Sequence, residues 1–150
     1  MKYLKNWDNK TWLSSNRYIN SFSKFLIKNI KINKKTKILD IGCGRANIIS
    51  FLFKKYNFTD QPIGLDVIKN DNIKKDITFK KIDAIEYLKK NNKTFDLILI
   101  KQTIHLLTFK KIKRLLFLCK KNLKNNGKIF ILTLDGKRNE LPTFRKMKLR

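Results

Sequence analysis

The chain has little of the residue types that mark several classes of protein. Its 150 residues include 2 cysteines, 2 prolines and 1 histidine. Cys43 and Cys119 have neither the spacing of a metal site nor the context of a disulfide framework, so we expect two reduced thiols and no metal. No apolar run is long enough to span a bilayer, and residues 1–10 lack the apolar core of a signal peptide. These absences predict a cytoplasmic protein.

Acidic residues are scarce as well. Only 11 Asp and Glu stand against 36 Lys and Arg, which gives a formal net charge of +25. Such a balance points to nucleic acid as a partner. However, the lysines are spread through every segment and outnumber the arginines that grip phosphates and bases with a planar fork. This distribution is typical of the amino-acid bias of an AT-rich genome, so RNA is a possible but less favoured partner.

Glycine is also rare, yet two of the 5 glycines lie close together in Lys37-Ile-Leu-Asp-Ile-Gly-Cys-Gly-Arg-Ala46. An apolar strand is predicted over 37–41, and a helical pattern runs from Arg45 to Tyr56. Glycine lets the backbone turn sharply and leaves room for a ligand against the bare chain. The pattern predicts a ligand site where a parallel strand meets a helix, although chain geometry alone also explains such a turn.

The spacing between the glycine turn and the next strand-end carboxylate is typical of a nucleotide site. A second strand is predicted at 62–66 and ends in Asp66, 22 residues after Gly44. In nucleotide-binding α/β units a carboxylate meets ribose hydroxyls at an offset of roughly 20 residues. The alternative is that Asp66 only stabilises a turn.

Strand and helix patterns alternate along the rest of the chain. Strands are predicted at 77–82, 95–101 and 128–134, and this alternation predicts a parallel sheet. A first helix is predicted after a cap at Ser14 or Ser15. Another runs from about Thr108 to Lys124, with Gly127 just beyond its end.

The ordered set of these motifs, from about Lys37 to Leu134, resembles the class I S-adenosylmethionine-dependent methyltransferases. It consists of Asp40-x-Gly42-x-Gly44-x-Ala46, Asp66 at a strand end, Asp83 in Lys81–Leu88, Phe95–Ile100, and Leu123–Leu132. The resemblance implies a Rossmann-like doubly wound α/β fold, with a mainly parallel sheet and helices on both faces. About five strands are present, and the usual sixth and seventh are missing.

The resemblance also implies roles for individual residues toward S-adenosylmethionine. Gly42 and Gly44 would pack against its methionine and ribose part, Asp66 would hold the ribose, and Asp83 with Ala84 would face the adenine. The other residues predicted to bind the cofactor are Asp40, Cys43, Val67 and Lys101. Asp83-Ala-Ile-Glu86 is equally a capping arrangement at a helix start, so Asp83 has a structural alternative.

The region after the fourth predicted strand is where this family commonly places residues near the acceptor. His105 is a candidate catalytic base there, or else a structural residue between Ile104 and Leu106. Lys101, Gln102 and Thr103 are the other candidates for the pocket rim. The chain lacks both the Asn/Asp-Pro-Pro-aromatic sequence and the Pro-Cys pair of two nucleic-acid-modifying classes. We therefore predict a small-molecule acceptor, with a basic RNA methyltransferase or a non-catalytic cofactor-binding protein as alternatives.

The predicted organisation is a single domain with three parts. Residues 1–35 form an N-terminal helical cap, 36–134 the cofactor-binding core, and 135–150 a turn and short helix. Aromatic residues of the cap would either wall the methyl-donor pocket or belong to the core: Trp7, Trp12 and Tyr18. Because only 16 residues follow Leu134, we expect an open apolar sheet edge at Ile129–Leu134. We interpret it as a truncated longer enzyme or as a surface for self-association.

Overall fold

The computed structural model describes residues 15–133. It has four α-helices and five strands in this part of the chain. The helices are α1 Asn16–Asn29, α2 Asn47–Tyr56, α3 Ala84–Lys90 and α4 Phe109–Lys121, and the strands are β1 Ile38–Ile41, β2 Ile63–Asp66, β3 Thr78–Lys81, β4 Phe95–Lys101 and β5 Leu123–Leu132. A short 3-10 helix, Ile104–Leu106, links β4 to α4. Trp7, Trp12, Ser14 and the predicted C-terminal segment 135–150 lie outside the described residues.

The five strands form one parallel sheet in the order β3-β2-β1-β4-β5. The chain moves outward from β1 to β3 and then returns to place β4 on the other side of β1. In open α/β sheets, ligands bind outside the carboxyl ends of the strands at the point where the strand order reverses. That point lies here between β1 and β4. The predicted Rossmann-like α/β fold is confirmed.

Helices cover both faces of the sheet, as predicted. α1 and α2 pack on one face with Leu26, Ile49 and Leu52, and α3 and α4 pack on the other with Leu88 and Leu115. The strands between them are apolar on both sides because successive side chains of a strand point to opposite faces. Four consecutive residues of β4 are accordingly buried, because this strand lies between β1 and β5 and is covered on both faces: Leu97, Ile98, Leu99 and Ile100.

The start of α2 differs from the prediction. The helix begins at Asn47 rather than Arg45, because Ala46 is its N-cap with a left-handed backbone at φ 61°. Its N–H donates to the Cys43 carbonyl at 2.8 Å, so the tight turn that begins at Gly42 continues through this residue. A left-handed alanine has no signature in the sequence because its Cβ disfavours that conformation.

The start of β5 also differs. The strand begins at Leu123 rather than 128, so α4 ends before Lys124 and Gly127 lies within the strand. Leu123 pairs with Phe95 and Lys128 pairs with Leu97, which leaves residues 124–127 bulging opposite Asp96. The Lys124 ammonium contacts the Asp96 carboxylate at 2.8 Å and holds the bulge. A Cβ on Gly127 would lie 2.8 Å from the Phe95 carbonyl oxygen, so this close approach requires glycine.

β5 forms one edge of the sheet in the part of the chain that the structure describes. Ile131 on this edge is 45% exposed. Self-association through the edge stays a prediction. Between residues 15 and 133, the structure contains no helix that is long and apolar enough to cross a membrane.

Candidate functional site

A cavity of about 460 Å³ lies at the carboxyl ends of β1, β2 and β4, where the strand order reverses. We call it the strand-end cavity. Six of the residues predicted to bind the cofactor line it: Gly42, Gly44, Asp66, Val67, Asp83 and Ala84. Grooves of about 550 and 490 Å³ lie beside the starts of the strands instead. Position relative to the strand ends therefore identifies the strand-end cavity as the candidate site.

The glycine turn forms one wall of this cavity. Gly42 and Gly44 have positive φ angles of 68° and 53°. The N–H groups of Gly42 and Cys43 both donate to the Leu65 carbonyl, at 2.8 and 3.0 Å, which fixes the turn to β2. A Cβ on Gly42 would lie only 1.9 Å from the Thr103 hydroxyl oxygen, so no other residue fits without movement. The turn presents bare backbone to the cavity.

Asp66 ends β2 with its carboxylate fixed by two backbone groups. Oδ2 accepts from the Gly44 N–H at 3.0 Å, and Oδ1 accepts from the Ile68 N–H at 3.1 Å. Each carboxylate oxygen has a second lone-pair site, so a ligand hydroxyl can still donate to it. The turn function and the ligand function considered for Asp66 are thus compatible, and the turn function is present in the structure.

Asp83 is the N-cap of α3. Its Oδ1 accepts from the N–H groups of Ile85 and Glu86 at 2.8 and 3.3 Å. This is the structural alternative considered for Asp83, and the structure confirms it. The residue also lines the strand-end cavity, together with Ala84 in the first turn of the helix.

Asp40 and Lys101 form a buried ion pair behind the glycine turn. Lys101 Nζ lies 3.3 Å from Asp40 Oδ2, and the Asp40 side chain is fully buried. Burial raises the pKa of Asp40 and outweighs the attraction of Lys101. Burial would lower the pKa of Lys101, but the attraction and hydrogen bond of Asp40, together with the nearby Tyr18 and Cys43, raise the pKa overall. Both residues were predicted to bind the cofactor, yet neither is among the residues that line the cavity.

Tyr18 of α1 lies close to this pair but belongs to the core. Its side chain is buried with Leu26 and Ile48, so the core alternative considered for Tyr18 holds. Its pKa is raised by burial, lowered by Lys101 and raised again by the negative charge of Asp40.

Cys43 is likewise buried and does not line the cavity. Its sulfur packs on β2, where a Cβ on Gly64 would lie 2.9 Å from Sγ. Burial, Asp40 and Asp66 together raise the pKa of the thiol, which keeps it protonated and unreactive at neutral pH. Burial also raises the pKa of Cys119, to about 12. Both cysteines are free thiols in the structure.

His105 lies in the 3-10 helix after β4 and is half-buried. Its Nδ1 is 3.5 Å from the Thr133 hydroxyl at the end of β5. Burial lowers the pKa of the imidazole, so the neutral form, which can accept a proton, is favoured. His105 is not among the residues that line the strand-end cavity, although its neighbour Leu106 is. Because His105 contacts Thr133 instead, it lies beside the strand-end cavity, on the side of β5.

Gln102 and Thr103 do line the cavity, as predicted for its rim. Gln102 has a left-handed backbone at φ 50°, and its buried Oε1 has no hydrogen-bond partner in the described part of the chain. Strain and an unsatisfied acceptor at one residue are typical of ligand sites. Asn70 and Lys111 also line the cavity, although no motif in the sequence singled them out. Thr108 was taken only as a helix start, yet this N-cap of α4 also lines the cavity.

A family model described as "Methyltransferase domain" matches residues 32–149. Among curated proteins, the chain is 26% identical over 129 residues to Ribosomal RNA large subunit methyltransferase E of Brachyspira hyodysenteriae. That alignment covers 77% of this chain and 64% of the relative. The chain therefore spans less than two thirds of the relative's length.

Solved structures of methyltransferases share the fold. A SAM dependent methyltransferase from Archaeoglobus fulgidus superposes with a TM-score of 0.65 and 28% identity, over 79% of this chain and 54% of that protein. The plantazolicin methyltransferase BamL, solved with a triazolic desmethylPZN analog and SAH, superposes with a TM-score of 0.68 and 25% identity. This second match covers 85% of this chain and 49% of BamL.

Proposed function

Because the chain belongs to the methyltransferase domain family, shown by the match over residues 32–149, we propose that it transfers a methyl group from S-adenosylmethionine. The observation that carries the proposal is the strand-end cavity. It brings the glycine turn, Asp66 and the N-terminus of α3 together at the point where the strand order reverses. Such a crevice is where open α/β sheets bind nucleotide-like molecules.

The residues present fit this cofactor. Asp66 offers acceptors for two vicinal ribose hydroxyls, and the glycine turn leaves space for close backbone contact. Gln102, which lines the cavity, has a buried acceptor, Oε1, without a hydrogen-bond partner in residues 15–133. A cationic amine such as the methionine ammonium group would satisfy acceptors of this kind. Asp40 and Lys101 form their ion pair behind the glycine turn, so they would support the turn rather than contact the cofactor.

The cofactor supplies an activated methyl group on a sulfonium, so the protein mainly has to position the acceptor. In this chain Gln102 and Thr103 line the cavity after β4 and would orient the bound molecules. His105 stays a candidate base: its neutral imidazole would accept a proton from an acceptor that approaches from the β5 side.

The same turn argues against a dinucleotide. The fingerprint G-x-G-x-x-G requires a third glycine for close packing between helix and strand. Counted from Gly42 and Gly44, that position is Asn47, the first residue of α2. We therefore expect S-adenosylmethionine or its demethylated product to bind, and NAD not to bind.

Two classes of molecule are candidates for the methyl acceptor. A small molecule is the prediction from the sequence, and it is supported by BamL, whose structure holds a triazolic desmethylPZN analog beside SAH. RNA is the second candidate, supported by the curated relative that is named for ribosomal RNA. A non-catalytic cofactor-binding protein is the remaining alternative. Cytoplasmic location likewise stays a prediction from the sequence.

Removal of the Asp66 carboxylate tests the ribose assignment. Charge-assisted hydrogen bonds of this kind are worth about 1.5–3 kcal/mol, so we expect Asp66→Ala to weaken S-adenosylmethionine binding by about 10- to 150-fold in calorimetric titration. The change also removes the acceptor of the Gly44 N–H, which alone would loosen the turn.

Asp66→Asn is the matched control for that structural effect. The amide oxygen can still accept one backbone N–H, so the fold is better preserved while the charge is lost. We expect its thermal stability to exceed that of Asp66→Ala while its affinity remains clearly below wild type. Wild-type affinity in both variants would remove Asp66 from the proposed site.

A further inference from the structure

The outer face of α4 carries only cations and aromatic rings. The helix has six basic residues and no acidic one. At 3.6 residues per turn, one exposed group spans about 140° of its circumference. We call this group the α4 stripe: Phe109, Lys110, Lys113, Arg114, Phe117 and Lys121. The opposite side holds Leu115, Leu118 and Cys119 in the core.

The two phenylalanines of the α4 stripe are open to solvent. Phe109 is 65% exposed and Phe117 is 52% exposed. Lys113 Nζ lies 4.6 Å from the Phe109 ring centroid, and Lys121 Nζ lies 5.2 Å from that of Phe117. Neither ring pairs with another aromatic ring in the part of the chain that is described.

Phe25 on the other face of the sheet shows the contrast. It is 50% exposed, close to the value for Phe117. Its ring, however, packs against Phe22 at 6.2 Å and Phe130 at 5.8 Å between centroids. Exposure alone therefore does not distinguish the α4 stripe. Its rings differ from Phe25 in having a lysine over each of them and no aromatic partner in residues 15–133.

A groove of about 550 Å³ continues the positive surface between the end of α3 and α4. Lys89 and Lys93 line it from one side, and Arg114 and Lys121 line it from the other, beside Phe117. Its lining includes no carboxylate. The groove thus offers cations to a chain of phosphates and an aromatic face next to them.

We propose that the α4 stripe and this groove bind single-stranded RNA. Cations that follow a phosphate backbone and exposed rings on which bases stack are the two parts of a single-strand binding surface. A duplex hides its base faces, and an acidic peptide has no bases to stack. The distance from Phe109 to Phe117 is about 12 Å along the helix, which matches three to four stacked nucleotides at 3.4 Å each.

The α4 stripe begins next to the strand-end cavity, where a methyl acceptor would bind. Thr108 and Lys111 at the start of α4 line the strand-end cavity, and Phe109 directly follows Thr108. A strand bound along the helix thus reaches the cavity mouth. RNA binding itself does not rest on the proposed methyl transfer, because it requires no cofactor.

Fluorescence anisotropy with a labelled oligonucleotide of twelve uridines (U12) tests whether bases stack on the phenylalanines of the α4 stripe. We expect Phe117→Ala to weaken binding by about 5- to 150-fold, the effect of losing one stacked base. Phe117→Tyr keeps a stacking ring and should keep the affinity. Phe25→Ala is the matched control and should bind U12 like wild type. Wild-type affinity in Phe117→Ala, or an equal loss in Phe25→Ala, would overturn the proposal.

The salt dependence of U12 binding tests whether the cations of the α4 stripe contact the phosphates. Each phosphate contact contributes roughly 0.7 to the slope of log K against log salt for single strands. We expect Lys113→Gln with Arg114→Gln to reduce the slope by about 1.4. Lys24→Gln with Lys28→Gln removes two exposed charges from α1 and should leave the slope unchanged. Equal effects of both pairs would show diffuse attraction by the net charge and contradict a specific surface.

Competing ligands identify the partner. U12 should bind more tightly than a 12-base-pair RNA duplex or a polyglutamate of equal charge, and at least as tightly as dT12. Tighter binding of any of these three would contradict the assignment to single-stranded RNA. S-adenosylmethionine titrations on each variant separate the two proposals, since Phe117→Ala should bind the cofactor normally even if U12 binding is lost.

Discussion

Lys101→Met is expected to lower the free energy of unfolding by about 3–5 kcal/mol at neutral pH, the effect of leaving a buried charge without its partner. Asp40 is fully buried, and Lys101 Nζ at 3.3 Å is the cation that balances it. Urea denaturation of wild type and variant measures the loss. The double variant Asp40→Asn with Lys101→Met removes both charges, so we expect it to recover most of that stability.

The pH dependence of this loss identifies its cause. Burial raises the pKa of Asp40 above the unfolded value of about 3.9, and the loss of Lys101 raises it further. The folded state then keeps its proton to a higher pH than the unfolded chain. Stability from this group is present below about pH 4 and is lost as the pH rises through the folded pKa.

Lys101→Met should consequently lose less stability at pH 5 than at pH 8, relative to the double variant. Comparison with the double variant cancels the titration of the other carboxylates. An equal loss at both pH values would show that packing, rather than the unpaired Asp40 charge, explains the effect.

Gly42→Ala is expected to lower the free energy of unfolding by about 2–5 kcal/mol. A left-handed backbone costs a residue with a Cβ about 1–2 kcal/mol, and the overpacked contact adds about 1–3 kcal/mol. Gly42 has φ 68°, and its added Cβ would lie 1.9 Å from Thr103 Oγ1. Thermal or urea denaturation measures the loss.

A double-mutant cycle separates the two contributions. Thr103→Ala alone removes the hydrogen bond that Thr103 Oγ1 donates to the Lys101 carbonyl at 2.8 Å. Because this truncation also makes room beside Gly42, the double variant should lose less than the sum of the two single losses. Additive losses would show that the Thr103 hydroxyl and methyl groups contribute nothing to the cost, which would contradict the contact with Oγ1.

Local chemistry made much of the fold predictable. The run from Phe95 to Ile100 is apolar apart from Asp96, and β4 has the predicted bounds. The bulge in β5 was not predictable because it depends on a contact between Lys124 and Asp96, which lie far apart in sequence. The left-handed Ala46 was missed for a different reason, since only glycine signals that conformation in a sequence.

In the candidate site, too, some residues were predictable from local sequence signals and others were not. Gly42, Gly44 and Asp66 have turn and strand-end signatures that a sequence displays, and all three line the cavity. Lys101 and Asp40 were expected at the cofactor, but their pairing behind the turn follows from the alignment of β1 with β4. Lining residues such as Asn70 carry no local signal, because tertiary packing alone brings them to the cavity.

Calorimetric titration with S-adenosylmethionine and, separately, with NAD tests the central claim most directly. We expect S-adenosylmethionine to bind at one site per chain, with an affinity that Asp66→Asn lowers. We expect no heat of binding with NAD. Binding of NAD, or S-adenosylmethionine binding that is indifferent to both Asp66 variants, would contradict the assignment of the strand-end cavity.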